Sequence, residues 1–291
     1  MTSGTDRPAA GRRTVGDGSP PPRADRRLVD SPVAHGMSVA LGLITVAATV
    51  PTVLADGLLR GPAAMNGSAR GTALVMLLVG VPTVLAGQLG TRREVRWAAP
   101  IWLGGCAYLI YNFVMLLFGT PFNVAFLLYV AGFSLALWTL VAILRVVEVC
   151  AFARSGSPTV RAVAVMTWLL VALNAVAWLR QVWPELGAAA PAFLAGTGLP
   201  TAPTYVQDLA VWLPLMAAAA FWLWRGLAWG YLVVAAMLSM WVVECITIAV
   251  DQYLGATADP GATVVSSTMT PIFGFAAAVI AVPAWLLLRR M

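Results

Sequence analysis

The chain has no lysine, and it has one histidine, His35, among 291 residues. Without lysine it cannot form the Schiff base of a retinal protein or supply the GK[ST] lysine of a P-loop. With one histidine, at the edge of an apolar run, paired-histidine haem ligation, histidine-rich zinc sites and a Ser-His-Asp triad fall away within a single chain. Cysteine is scarce too. Cys106, Cys150 and Cys245 lie on different segments without CxxC spacing, so no disulfide framework or zinc site is expected, and each is read as a small buried hydrophobe. Charged residues make up only 10% of the chain. An enzyme would have to work with carboxylates, arginine and hydroxyls, and no motif for one is present, so neither a catalytic residue nor a cofactor is expected.

What the chain has in abundance is hydrocarbon. Hydrophobic residues are 60% of the total and the mean hydropathy is +0.84, far outside soluble averages. A bilayer core about 30 Å thick needs about 20 apolar residues per spanning helix. Runs of that length occur at about Gly36–Leu59, Gly71–Gly90, Trp97–Phe118, Phe122–Leu144, Ala162–Trp183, Tyr205–Trp224, Leu227–Val250 and Val264–Leu288. They are continuous and rich in Leu, Ala and Val, unlike the alternating segments of a barrel strand. The expected fold is therefore all-α, a polytopic membrane bundle of about eight transmembrane helices over residues 35–291.

All 18 basic residues are arginine, and they alternate from one connection to the next. With both termini inside, only Arg60, Arg70 and Arg180 fall on the outer side, so the positive-inside rule makes both termini cytoplasmic. The net charge of +6 follows from this distribution and requires no nucleic-acid partner. The bilayer itself, including anionic headgroups near the arginines, is the expected partner. Residues 1–34 are rich in Gly, Pro, Ser, Asp and Arg and are expected to be a disordered cytoplasmic tail, not a secretory signal.

Smaller features add expectations. Val50–Leu58 and Val81–Leu89 match at seven of nine positions, a pattern compatible with an inverted repeat or with ordinary membrane-helix composition. Pro51, Pro82, Pro214, Pro271 and Pro283 fall inside spans and are expected to kink them. Trp97, Trp102, Trp222, Trp224, Trp229 and Trp285 near inner ends, with Trp183 and Trp212 near outer ones, read as interfacial belts. The long outer connection from Pro184 to Thr204 reads as an interfacial helix, a lid or a plain loop.

Polar groups at membrane depth are costly and usually functional or paired. Here they gather in the outer half: Asp56, Asn112, Asn123, Asn174, Arg180, Asp208, Glu244, Asp251 and Thr268. Glu244 and Asp251 are seven residues apart, an advance of about 700°, so they share one helix face with Thr247 between them. Arg180 is the one deep outer cation, and an ion pair from it to Asp208 or Glu244 is expected. Tyr108, Tyr111 and Asn112 form one face of the third helix. The candidate polar pocket is thus Arg180, Asp208, Glu244, Asp251, Asn112, Asn123 and Asn174. It would hold a small solute or ion, or present a protonatable carboxylate at Glu244; alternatively the same residues only staple helices together.

Two segments carry a resemblance: Tyr108-Leu-Ile-Tyr-Asn112 running through Gly119-Thr-Pro-Phe-Asn123 to Phe126-Leu-Leu-Tyr-Val130, and Leu199-Pro-Thr-Ala-Pro-Thr-Tyr-Val-Gln-Asp-Leu209 with Leu213-Pro214. Together they resemble a family of uncharacterised multi-pass bacterial membrane proteins, over helices three to seven. The resemblance implies a bacterial cytoplasmic membrane and draws attention to Asn112, Asn123 and Asp208, but implies no activity.

Overall fold

A computed structural model describes residues 31–152 and 157–291, together with Met1 and Val29. The tail expected to be disordered lies almost wholly outside the described residues. Among them there is no strand, and eight helices are long and apolar enough to cross a membrane. They are α1 Pro32–Leu54, α2 Ala63–Arg92, α3 Ala98–Phe118, α4 Phe126–Val146, α5 Pro158–Val182, α6 Pro203–Trp224, α7 Ala228–Ala258 and α8 Met269–Leu288. The chain is a multi-pass membrane protein, and an even number of crossings puts both ends of the bundle on one side.

Local chemistry sets the helix starts. Ser31 and Ser157 cap α1 and α5, each accepting a hydrogen bond from the amide three residues on (Ala34 at 3.1 Å, Val160 at 3.3 Å), with a proline at the first helical position. α6 likewise opens on Pro203.

Two interior prolines are accommodated in the same way. Pro82 and Pro214 cannot donate to the carbonyl four residues back. Each follows a π-helical turn, Met76–Gly80 in α2 and Asp208–Trp212 in α6, where the Val81 amide reaches back to Met76 and the Leu213 amide to Asp208. The wider turn carries the helix past the missing donor. Pro271 instead sits in the first turn of α8, while Pro51 and Pro283 are interior as expected.

α3 is the most enclosed helix, with 72% of its apolar window buried, and α5 the least, with 17%. α7 packs on α2, α3, α6 and α8; α3 packs on α2 and α4 as well; α1 lies against α4 and α2, and α5 against α6. The close crossings use glycine. A Cβ on Gly71 would lie 2.6 Å from Asp251 Cα, one on Gly67 2.5 Å from the Leu254 carbonyl, and one on Gly104 2.4 Å from the Ala236 carbonyl. Thus Gly67 and Gly71 form a small-xxx-small contact on α7.

That contact corrects two boundaries. α2 begins at Ala63 instead of Gly71, and α7 continues to Ala258 instead of Val250, because the two helices extend together beyond the length a bilayer requires. Arg70, which precedes the expected start at Gly71, is consequently a helix residue. The near repeat does not survive as structure: Val81–Leu89 is helical throughout, whereas its counterpart leaves the helix after Leu54.

The tryptophans divide. Trp97, Trp183, Trp224, Trp229 and Trp285 are exposed as belt residues, and the Arg289 guanidinium lies 4.2 Å from the Trp285 ring centre. Trp102 and Trp212 are buried instead. Trp102 donates to Ser38 Oγ at 2.9 Å and stacks on His35 at 4.9 Å, joining α3 to α1. Cys106 and Cys245 are buried as expected, but Cys150 is exposed.

Candidate functional site

The third and seventh helices meet through side-chain hydrogen bonds. Asn112 Nδ2 donates to Glu244 Oε2 at 2.7 Å and to its own helix at the Tyr108 carbonyl, 3.1 Å away. One turn earlier on α3, the Tyr108 hydroxyl lies 2.8 Å from Thr247 Oγ1. Because Thr247 donates to the Val243 carbonyl at 3.0 Å, Tyr108 is the donor in that pair. Glu244 is 9% exposed and Asn112 1%. Since α7 runs on to Ala258, beyond the expected Val250, Glu244 lies fourteen residues, about 21 Å, below that end.

Asp208 is the second centre. It is 5% exposed and begins the π-helical turn of α6. Trp178 Nε1 from α5 donates to its Oδ2 at 2.8 Å, and the Tyr111 hydroxyl from α3 is within hydrogen-bonding reach. Tyr111 lies within electrostatic reach of both Asp208 and Glu244, and Glu244 within reach of Asp208. α3, α5, α6 and α7 therefore meet around two acids whose hydrogen-bond partners are all neutral.

An ordered cover lies above. The Tyr205 ring is 4.7 Å from Trp178 and 5.4 Å from Phe193, and its hydroxyl donates to Gln181. Phe193 belongs to the long outer connection, which makes two single turns of 3-10 helix, Trp183–Glu185 and Ala192–Leu194. Gly196 and Gly198, both at positive φ, bring that segment against Val264 and Pro62. Phe193, Tyr205 and Trp178 thus pack the connection against the adjoining ends of α5 and α6.

The remaining candidates scatter. Asp251 packs on α2 at Gly71 with Ser68 and Gln252 beside it, and its buried Oδ1 has no hydrogen-bond partner. Asn174 is one turn before Trp178 on α5, and its buried Oδ1 is also unpartnered. Asn123 is not in the core of the site. Its Oδ1 accepts from the Ala125 amide at 2.9 Å and its Nδ2 donates to the Pro121 carbonyl at 3.0 Å, so it shapes the turn between α3 and α4.

Arg180 is the clearest correction. It is exposed near the end of α5, and among the described residues it forms no ion pair with Asp208, Glu244 or Asp251. Arg70 instead pairs with Asp56 at 3.1 Å, with the Arg70 side chain partly and the Asp56 side chain fully exposed. Trp178 was absent from the sequence reading. Its position one turn from Asn174, on the same helix face, was the available signal.

Neither of the two cavities described in this structure is lined by an acid. Among the described residues no group of three or more His, Cys, Asp or Glu could hold a metal ion. The chain matches no family model, no curated protein and no solved structure. What it can do must be argued from the arrangement of α3, α5, α6 and α7 alone.

Proposed function

We propose that this chain is a proton-binding protein of the bacterial cytoplasmic membrane, in which Glu244 and Asp208 exchange protons with the outer side as a small solute or ion is bound or moved. The observation that carries this reading is the pair of deeply buried carboxylates whose hydrogen-bond partners are only Asn112, Trp178 and Tyr111. An ionised carboxylate removed from water needs a positive partner. No described arginine supplies one and the acids are not grouped to share a metal, so a proton is the compensating charge. Helices held together by polar contacts alone would be served by Asn and Gln, without the cost of acids at that depth.

The test uses the purified full chain in weakly buffered detergent with a pH-sensitive dye. An acid step is expected to be followed by proton uptake by the native chain, and Glu244→Gln and Asp208→Asn are each expected to lose part of that signal at unchanged melting temperature. The staple reading has its own support, since every one of these bonds joins two different helices. It expects Glu244→Gln, which keeps the acceptor for Asn112, to behave as the native chain in all respects. A proton signal equal in both proteins would leave that reading standing and remove ours.

A further inference from the structure

A second site lies on the opposite half of the bundle. A cavity of about 560 Å³ opens between α3, α4, α6 and α7, and its walls are Leu, Ala, Val, Met and Trp side chains. Its far end is closed by Ala107, Trp212, Ala236 and Met237, all buried. Its near end is formed by Leu144, Leu227 and Trp229, all exposed. These three lie at the arginine-rich ends of α4, α6 and α7, so the mouth faces the leaflet that the positive-inside rule makes cytoplasmic. From Trp222 to Trp212 is ten residues of α6, which gives a slot about 15 Å deep.

We propose that this slot binds one acyl chain of an anionic phospholipid drawn from the inner leaflet. Three observations select that occupant. Apolar walls exclude water, which would find no hydrogen-bond partners there. Protein interiors do not keep voids of this size, and in a bilayer the filler at hand is hydrocarbon. Two arginines lie close to the mouth in sequence: Arg145 directly follows Leu144, and Arg225, whose guanidinium rests 5.7 Å from the Phe221 ring centre, lies between Trp222 and Leu227; both are exposed and neither is in an ion pair among the described residues.

Because lipid tails are as apolar as the slot, the tail alone brings little selectivity. Shape retains the chain and charge chooses the headgroup. Two arginines at an anionic surface give an anionic lipid an advantage of about 30-fold over a zwitterionic one. The slot is separate from the acid-bearing core, although they share a wall: the Trp212 ring that closes it is 6.2 Å from Tyr111, and its N–H donates to Gln207 at 3.2 Å.

The experiment is native mass spectrometry of the full chain released from mixed micelles containing equal phosphatidylglycerol and phosphatidylethanolamine. The native chain is expected to retain one phosphatidylglycerol. Leu215→Trp with Val233→Trp, which fills the slot at half-buried positions, should reduce that adduct to background, and Arg145→Gln with Arg225→Gln should bring the two lipids to parity. A phospholipid bearing a photoreactive group at the tail end supplies a readout independent of substitution, with labelling expected at Trp212, Ala236 and Met237. Labelling confined to the outward face of α5, or an adduct unchanged by the filled slot, would overturn the proposal. So would a dimer of the native chain that dissociates on filling the slot, because a second copy would then be the occupant.

Discussion

Asn112 is the residue on which the buried acid depends. Its amide gives Glu244 its one direct side-chain donor and anchors itself on the Tyr108 carbonyl, so it is held from two sides. Replacing it with leucine leaves a buried carboxylate without its donor, at a cost of about 1–3 kcal/mol. Asn112→Leu is therefore expected to melt several degrees below the native protein in detergent. Asn112→Leu combined with Glu244→Met is expected to recover most of the loss, since removing both polar partners is far less costly than removing one. If the double variant melted lower than the single, Glu244 would have a further partner and the geometry described above would be incomplete. The same residue scale explains the misplaced weight on Arg180. Hydropathy places it at membrane depth, but the side chain is exposed near the end of α5 and, among the described residues, pairs with none of Asp208, Glu244 and Asp251.

Among the elements, α2 and α7 are a pair whose register is set by backbone contact. Both exceed the length needed to span a bilayer, and they approach through Gly67 and Gly71 to backbone contact. A leucine at position 71 must displace the α7 backbone at Asp251, and overpacking of this kind costs about 1–3 kcal/mol or more. Gly71→Leu is thus expected to lower the melting temperature and membrane abundance, while Gly36→Leu, where no atom lies within 4 Å of an added Cβ, should leave both unchanged. Equal behaviour of the two variants would contradict the crossing. The π-helical turn of α6 has a different role. It begins at Asp208, so the irregular backbone demanded by Pro214 also sets where that carboxylate meets Trp178. The sequence shows Pro214, and from it a kink; it does not show on which turn the extra residue will be absorbed.

For the whole molecule, eight crossings and the arginine alternation make a single testable statement about orientation. Reporter enzymes fused after Arg93 and after Thr197 are expected to read cytoplasm and exterior respectively, and the reverse pattern would invert the bundle and the lipid slot together. Span number and arginine bias were legible because each depends on transfer free energy summed along a segment, which composition alone determines. The stripe of Glu244, Thr247 and Asp251 was legible as well, since helical periodicity is a property of one chain segment. Its partners were not. Which way α3 and α5 rotate about their axes, and so whether Asn112, Tyr111 and Trp178 or Arg180 face the acids, is decided by side chains interlocking where α3 crosses α7, at Gly104, and where α5 packs on α6. That packing joins residues 30 to 132 positions apart, and no local pattern records it. The sequence by itself determined that this chain lives in lipid, how often it crosses and which side carries the arginines; only the tertiary structure decided that Glu244 and Asp208 meet neutral donors and that an apolar slot opens beneath them.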